Sequence, residues 1–140
     1  MERRRPKPLH QLLSVLALAA PAAGAWAAWL GWDQERDVHP DGSTTGPYEA
    51  WQVIGLVVTV LVPFVWAVAR RHLEAAVLGV SLGLAVSAFV DWSDDSSGLY
   101  VVGVGMVLLG SLAATTALAA LLAAVLPAPP GTGLRAADSR

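Results

Sequence analysis

The sequence predicts an all-α fold: a four-helix transmembrane bundle with its N-terminus and C-terminus both cytoplasmic. Three observations carry that prediction. Of 140 residues, 55% are hydrophobic and 14% charged, with a mean hydropathy of +0.55, whereas soluble domains devote about a quarter of their residues to charge. Four apolar runs, each long enough for a hydrocarbon core of roughly 30 Å, alternate with short polar segments. These runs are apolar all round, without the polar face that a helix of a soluble bundle turns to water. Charge is sorted as well. With four crossings from an inner N-terminus, eight of nine Lys and Arg fall on the cytoplasmic side and eight of eleven Asp and Glu fall outside, Arg36 being the basic exception.

The elements follow in order. Residues 1–8 are a basic cytoplasmic start, with Arg3, Arg4, Arg5 and Lys7 ahead of the first apolar run. The first span is expected over 9–31. Its beginning also reads as a signal peptide, with Leu12 to Ala20 as the apolar region and Ala23-Gly24-Ala25 as a small-residue cleavage site. The run continues past Ala25 to a full crossing length, which favours an uncleaved helix. Pro21 lies within it and is expected to kink it. Trp26, Trp29 and Trp32 fall near its outer end, the depth at which indole rings favour the headgroup boundary.

An outer acidic loop, 32–49, follows. Pro40-Asp41-Gly42 has turn chemistry, since proline presets the first turn residue and glycine accepts a positive φ. His39 among carboxylates lacks metal-ligand spacing and reads as a loop residue. The second span is expected over 50–69, entered through Gly46 as cap and Pro47 in the first turn, with Tyr48 and Trp51 at the boundary. Pro63 frees the carbonyl of Thr59, whose hydroxyl is expected to help satisfy freed backbone groups. The cytoplasmic turn 70–74 lacks Gly and Pro, so the sequence leaves its geometry open.

The third span, 75–92, carries small residues at Ala75, Gly79, Gly83 and Ser87, a stripe that admits close approach by another helix of this chain or of a second copy. The outer turn 93–98 is acidic. Asp91, Ser93 and Asp95 alternate as hard-oxygen ligands would, but a calcium loop needs Gly where Ser96 stands and Glu where Val102 stands. Ser96 or Ser97 is expected to cap the next helix. The fourth span, 99–126, has further small pairs, Gly110 with Ala114 among them, and a tail with the composition of a disordered cytoplasmic end is expected over 127–140.

Several chemistries lack their residues. There is no cysteine, hence no disulfide, thiolate or Cys-ligated metal, and no Asn to accept an N-glycan. Between the ends of the spans no ionisable side chain occurs beyond His10 at the inner boundary, which weighs against coupled transport and against an intramembrane enzyme. We therefore expect no catalytic residue, no cofactor, no metal and no nucleic-acid partner. The leading reading is a non-enzymatic membrane component that acts by helix–helix association, through Gly79, Gly83 and Ser87 or through Gly110 and Ala114. Its partners are then the lipid bilayer and a second copy or another membrane protein. One alternative is an oligomeric passive pore or small transporter lined by Ser81, Ser87, Ser111, Thr115 and Thr116. A second is an outward-facing cation sensor using Asp91, Asp94 and Asp95.

The segment Gly46-Pro47-Tyr48-Glu49-Ala50-Trp51-Gln52-Val53, entering the second of four helices, resembles the corresponding region of small uncharacterised four-pass integral membrane proteins of high-GC Gram-positive bacteria. The predominance of Arg over Lys accords with such a genome. What the resemblance implies is a topology and a plasma-membrane location, with no catalytic residue.

Overall fold

The computed structural model describes residues 7–127. Arg3, Arg4 and Arg5 and the tail beyond Pro127 lie outside the described residues. The chain forms α1 (Pro8–Trp29), a two-stranded antiparallel hairpin of β1 (Asp37–Val38) and β2 (Thr44–Thr45), then α2 (Ala50–Ala69), α3 (Leu73–Trp92) and α4 (Tyr100–Val125). All four helices are long and apolar enough to cross a membrane. This is the expected all-α, four-helix architecture, and it is compatible with an integral membrane protein.

α3 is the centre of the bundle, with more buried positions than any other helix. Its small residues explain why. A Cβ built on Gly79 would stand 2.5 Å from the Leu18 Cβ and 2.7 Å from the Val15 carbonyl oxygen, and one on Gly83 would stand 2.6 Å from the Ala19 carbonyl oxygen. The stripe is therefore filled by α1 of the same chain. α1 and α3 run parallel, Gly79 beside Leu18, Gly83 beside Ala19 and Ala22, and Asp91 beside Trp26. Ser87 donates to the Gly83 carbonyl of its own helix and so spends its hydroxyl locally.

α2 and α4 flank this pair. α2 inserts Leu56, Val60, Phe64, Ala67 and Val68 into the core, and the Trp29 ring lies directly over Gly55, where a Cβ would come within 2.6 Å of it. α4 runs antiparallel to α3, with Trp92 against Gly103, Ser81 paired to Thr115 at 3.3 Å and Arg71 against Ala123. Interhelical hydrogen bonds between membrane helices average about 0.6 kcal/mol. Close packing rather than the Ser81–Thr115 bond therefore holds α4 to α3.

Several local expectations change. α2 begins at Ala50 with Glu49 as N-cap: the Glu49 side chain accepts from the backbone amide of Gln52 while the Gln52 side chain accepts from the Glu49 backbone N–H. Gly46 and Pro47 precede the helix, because this reciprocal cap satisfies two orphan donors that a bare glycine leaves open. Thr59 donates to the Gly55 carbonyl and accepts from Trp29 Nε1 at 3.0 Å, so its hydroxyl ties α2 to α1 and does not serve the carbonyl freed by Pro63. α4 starts at Tyr100 with no side-chain cap on Leu99, although the Ser97 hydroxyl accepts from the Leu99 amide.

The α2–α3 turn acquires a geometry the sequence left open. His72 N–H bonds the Ala67 carbonyl and Arg71 N–H bonds the Val68 carbonyl, both at 2.9 Å, which is a Schellman closure with Arg71 at the left-handed position. Arg71 has φ 64° there. That conformation costs a residue with a Cβ about 1–2 kcal/mol, which is why glycine is the usual occupant. At the other end of the bundle, Pro40-Asp41-Gly42 forms the expected turn: Gly42 has φ 83° and its amide bonds the His39 carbonyl.

Candidate functional site

Two features distinguish this bundle: a polar knot at the end carrying the β-hairpin, and the uncovered side of α4. The knot centres on Asp91, the penultimate residue of α3. A carboxylate there faces the negative end of the helix dipole, a cost of about 0.3–1 kcal/mol. Three neutral donors offset it. Trp26 Nε1–H donates to Asp91 Oδ2 at 3.2 Å, the Tyr48 hydroxyl donates to the same oxygen, and Gln34 Nε2–H donates to Oδ1 at 2.5 Å. Hydrogen bonds to a charged acceptor contribute about 1.5–3 kcal/mol each, so the donors outweigh the dipole. Trp92 Nε1–H donates to the Tyr48 oxygen at 2.9 Å, and the Trp26 ring meets Tyr48 and Trp92 edge-on at 6.2 and 5.9 Å.

A second link lies beside it. The fully buried Gln52 side chain donates to Asp33 Oδ2 at 3.0 Å while holding the Glu49 backbone through its carbonyl. Together the two links pin the α1–α2 connection onto the ends of α2 and α3. Tyr48 sits in an environment hostile to its ionised form: burial first, then the bond to Asp91, raises its phenol well above the ordinary value of 10.0.

These contacts revise the aromatic belt. Trp26 is buried and structural, Trp29 reaches across to Thr59, and Tyr48 closes the knot; Trp32 and Trp51 are the exposed rings. Trp66 lies at the opposite end with the Arg70 guanidinium 5.4 Å from its ring centroid.

Asp91, Asp94 and Asp95 all border one open cleft of about 460 Å³ with Arg36 and Tyr100; Asp91 is also engaged in the knot, and Asp95 accepts from the Ser97 backbone N–H and hydroxyl. Ser97 holds the Asp95 carboxyl below its ordinary value, its backbone N–H contributing most and Arg36 least. Among the described residues no group of three or more His, Asp or Glu is placed to hold a metal ion.

The expected packing residues divide. Gly79 and Gly83 are consumed within the chain, whereas a Cβ on Gly110 would meet nothing within 4 Å, and Ala114 is exposed beside it. Ala119 is the one buried residue of α4. Among its exposed residues, which include Leu109, Leu121 and Val125, Met106, Gly110, Ala113, Ala117, Ala120 and Ala124 form one row separated by alternating steps of four and three. That spacing keeps one seam facing a single neighbour along the helix. The outward faces of α2 and α3 are composed differently, with Ile54, Val57, Val58 and Val62 on one and Leu82, Val86, Phe89 and Val90 on the other.

Four of the five hydroxyls considered for a pore lining bond within the bundle: Ser81 to Thr115, and Ser87, Ser111 and Thr115 to carbonyls one turn back in their own helices. Thr116 alone of the five is exposed.

Of the groups in the knot, Gln34, Asp33, Gln52 and the inward role of Trp26 were missed from sequence. Glu49-x-x-Gln52 carried a signal, since it has the spacing of a reciprocal cap. The other contacts join segments far apart in the chain and leave no local pattern. No protein-family model, curated protein or solved structure matches this chain.

Proposed function

We propose that the chain is a non-enzymatic integral protein of a bacterial plasma membrane, acting by lateral association through the outward face of α4. One observation carries this reading: α2 and α3 turn rows of branched and aromatic side chains outward, whereas α4, between its exposed Leu109, Leu121 and Val125, carries a continuous exposed seam of Gly110, Ala113, Ala117, Ala120 and Ala124, longer than the small-residue row Ala17, Ala20 and Gly24 that α1 exposes. Large side chains fill the space against lipid tails, while small ones let a second backbone approach, and close approach is the main source of helix affinity in a bilayer. The α3 stripe drops out as an intermolecular face because α1 fills it. A second copy or another membrane helix fits the α4 face.

The pore reading has less support, since four of its five hydroxyls are spent inside the bundle, and the cation-sensor reading has less because Asp91 and Asp95 already hold internal donors. The test is subunit counting in nanodiscs, comparing native protein with a Gly110→Ile, Ala114→Ile double variant. The reading expects native oligomers and a folded, dissociated variant. Folded monomers in both samples would remove the homo-oligomeric form of the proposal and leave a foreign partner to be sought by co-purification.

A further inference from the structure

We infer that Arg71 is a conformational clasp: its guanidinium, delivered by the left-handed turn after α2, caps the C-terminal end of α4 and fixes where that helix lies on the bundle. α4 has no basic residue in its last turn, and its C-cap, Leu126, is already extended. Among the described residues, its final carbonyls therefore have neither successor amides nor a cation of their own helix to offset the negative dipole end. Arg71 supplies both from another segment, Nη1–H donating to the Ala123 carbonyl at 3.3 Å and Nη2–H to the Leu126 carbonyl at 3.4 Å. The adjacent Arg70 is engaged elsewhere, over Trp66.

The backbone adds an independent observation. Arg71 occupies the position of the Schellman closure where glycine is favoured, at φ 64°. A side chain retained at such a position is accounted for when the contact it makes outweighs the local strain. α4 packs mainly on α3, through Val104, Val107, Leu118 and Leu122 around the buried Ala119, and has few neighbours on its other sides, so a polar contact at its end bears on where that end sits. Arg71 is the polar contact nearest the C-terminal end of α4, beyond the Ser81–Thr115 pair and that apolar packing on the core. This inference is independent of the association reading, since it concerns α4 within one chain.

Substituting glycine separates the two roles of Arg71, because glycine eases the turn and removes the guanidinium. The chain has no cysteine, so spin labels can be placed cleanly at Glu74→Cys with Val125→Cys to read the clasp end, and at Thr44→Cys with Ser96→Cys to read the opposite end. In nanodiscs, Arg71→Gly is expected to give a longer and broader distance distribution for the first pair and the native distribution for the second. An unchanged distribution for the first pair overturns the clasp, whatever the thermal midpoint does. Should Arg71→Gly fail to accumulate, Arg71→Gln is read with the same labels, and a native distribution in it overturns the clasp equally.

Discussion

Asp91 is the residue whose loss should be felt most widely, because three donors from three segments converge on it. Asp91→Ala leaves the indole N–H of Trp26, itself buried, without an acceptor, and an orphaned buried donor costs about 1–3 kcal/mol. We expect a lower thermal midpoint and a red-shifted tryptophan emission in detergent, with Asp91→Asn milder on both; an unchanged spectrum would mean that the knot does not hold Trp26. Tyr48 gives the knot a pH signature. A phenol whose folded pKa is raised contributes stability that is fully present below its unfolded value of 10.0 and is lost as pH rises through the folded value. Alkaline unfolding curves should therefore weaken above pH 10, and Tyr48→Phe, less stable at neutral pH, should flatten that limb. Little of this was legible beforehand. Trp26, Trp29 and Trp32 read as a belt because spacing along one helix gives depth, whereas the inward turn of Trp26 depends on Asp91, 65 residues away.

Elements were more legible than their pairings. The four helices follow from four apolar runs, and the glycines of α3 were recognisable as a packing face. Which helix fills that face was not, because small-residue spacing reports close approach without naming the neighbour. The structure assigns it to α1, and the consequence is testable. Gly83→Ile forces a side chain into the Ala19 backbone, and overpacking of this kind costs typically about 1–3 kcal/mol. We expect loss of thermal stability or of folded yield, in contrast to Gly110→Ile, which meets open space within the chain and should leave the midpoint of the folded monomer unchanged. Equal effects from the two substitutions would contradict the division between an inner face on α3 and an outer face on α4. The α2–α3 turn shows a different limit. Arg71 in a left-handed conformation has no sequence signal, since its side-chain contact with α4 comes from a helix some 50 residues further on.

At the scale of the whole molecule, apolar length and composition were enough to establish four helices able to cross a membrane, because the bilayer fixes element length by its thickness. Composition leaves open what such a bundle meets sideways, and there the continuous Gly/Ala seam within the exposed side of α4, set against the branched rows on α2 and α3, is the guide. The most direct measurement is disulfide scanning of α4 in native membranes, using single cysteines in a chain that has none of its own. An α4–α4 seam predicts crosslinked dimers at Ala113→Cys, Ala117→Cys and Ala124→Cys, and none at Val104→Cys, Thr115→Cys or Leu122→Cys, which face the bundle. Crosslinking that ignores this periodicity, or none at any of the outward positions, would contradict self-association through α4.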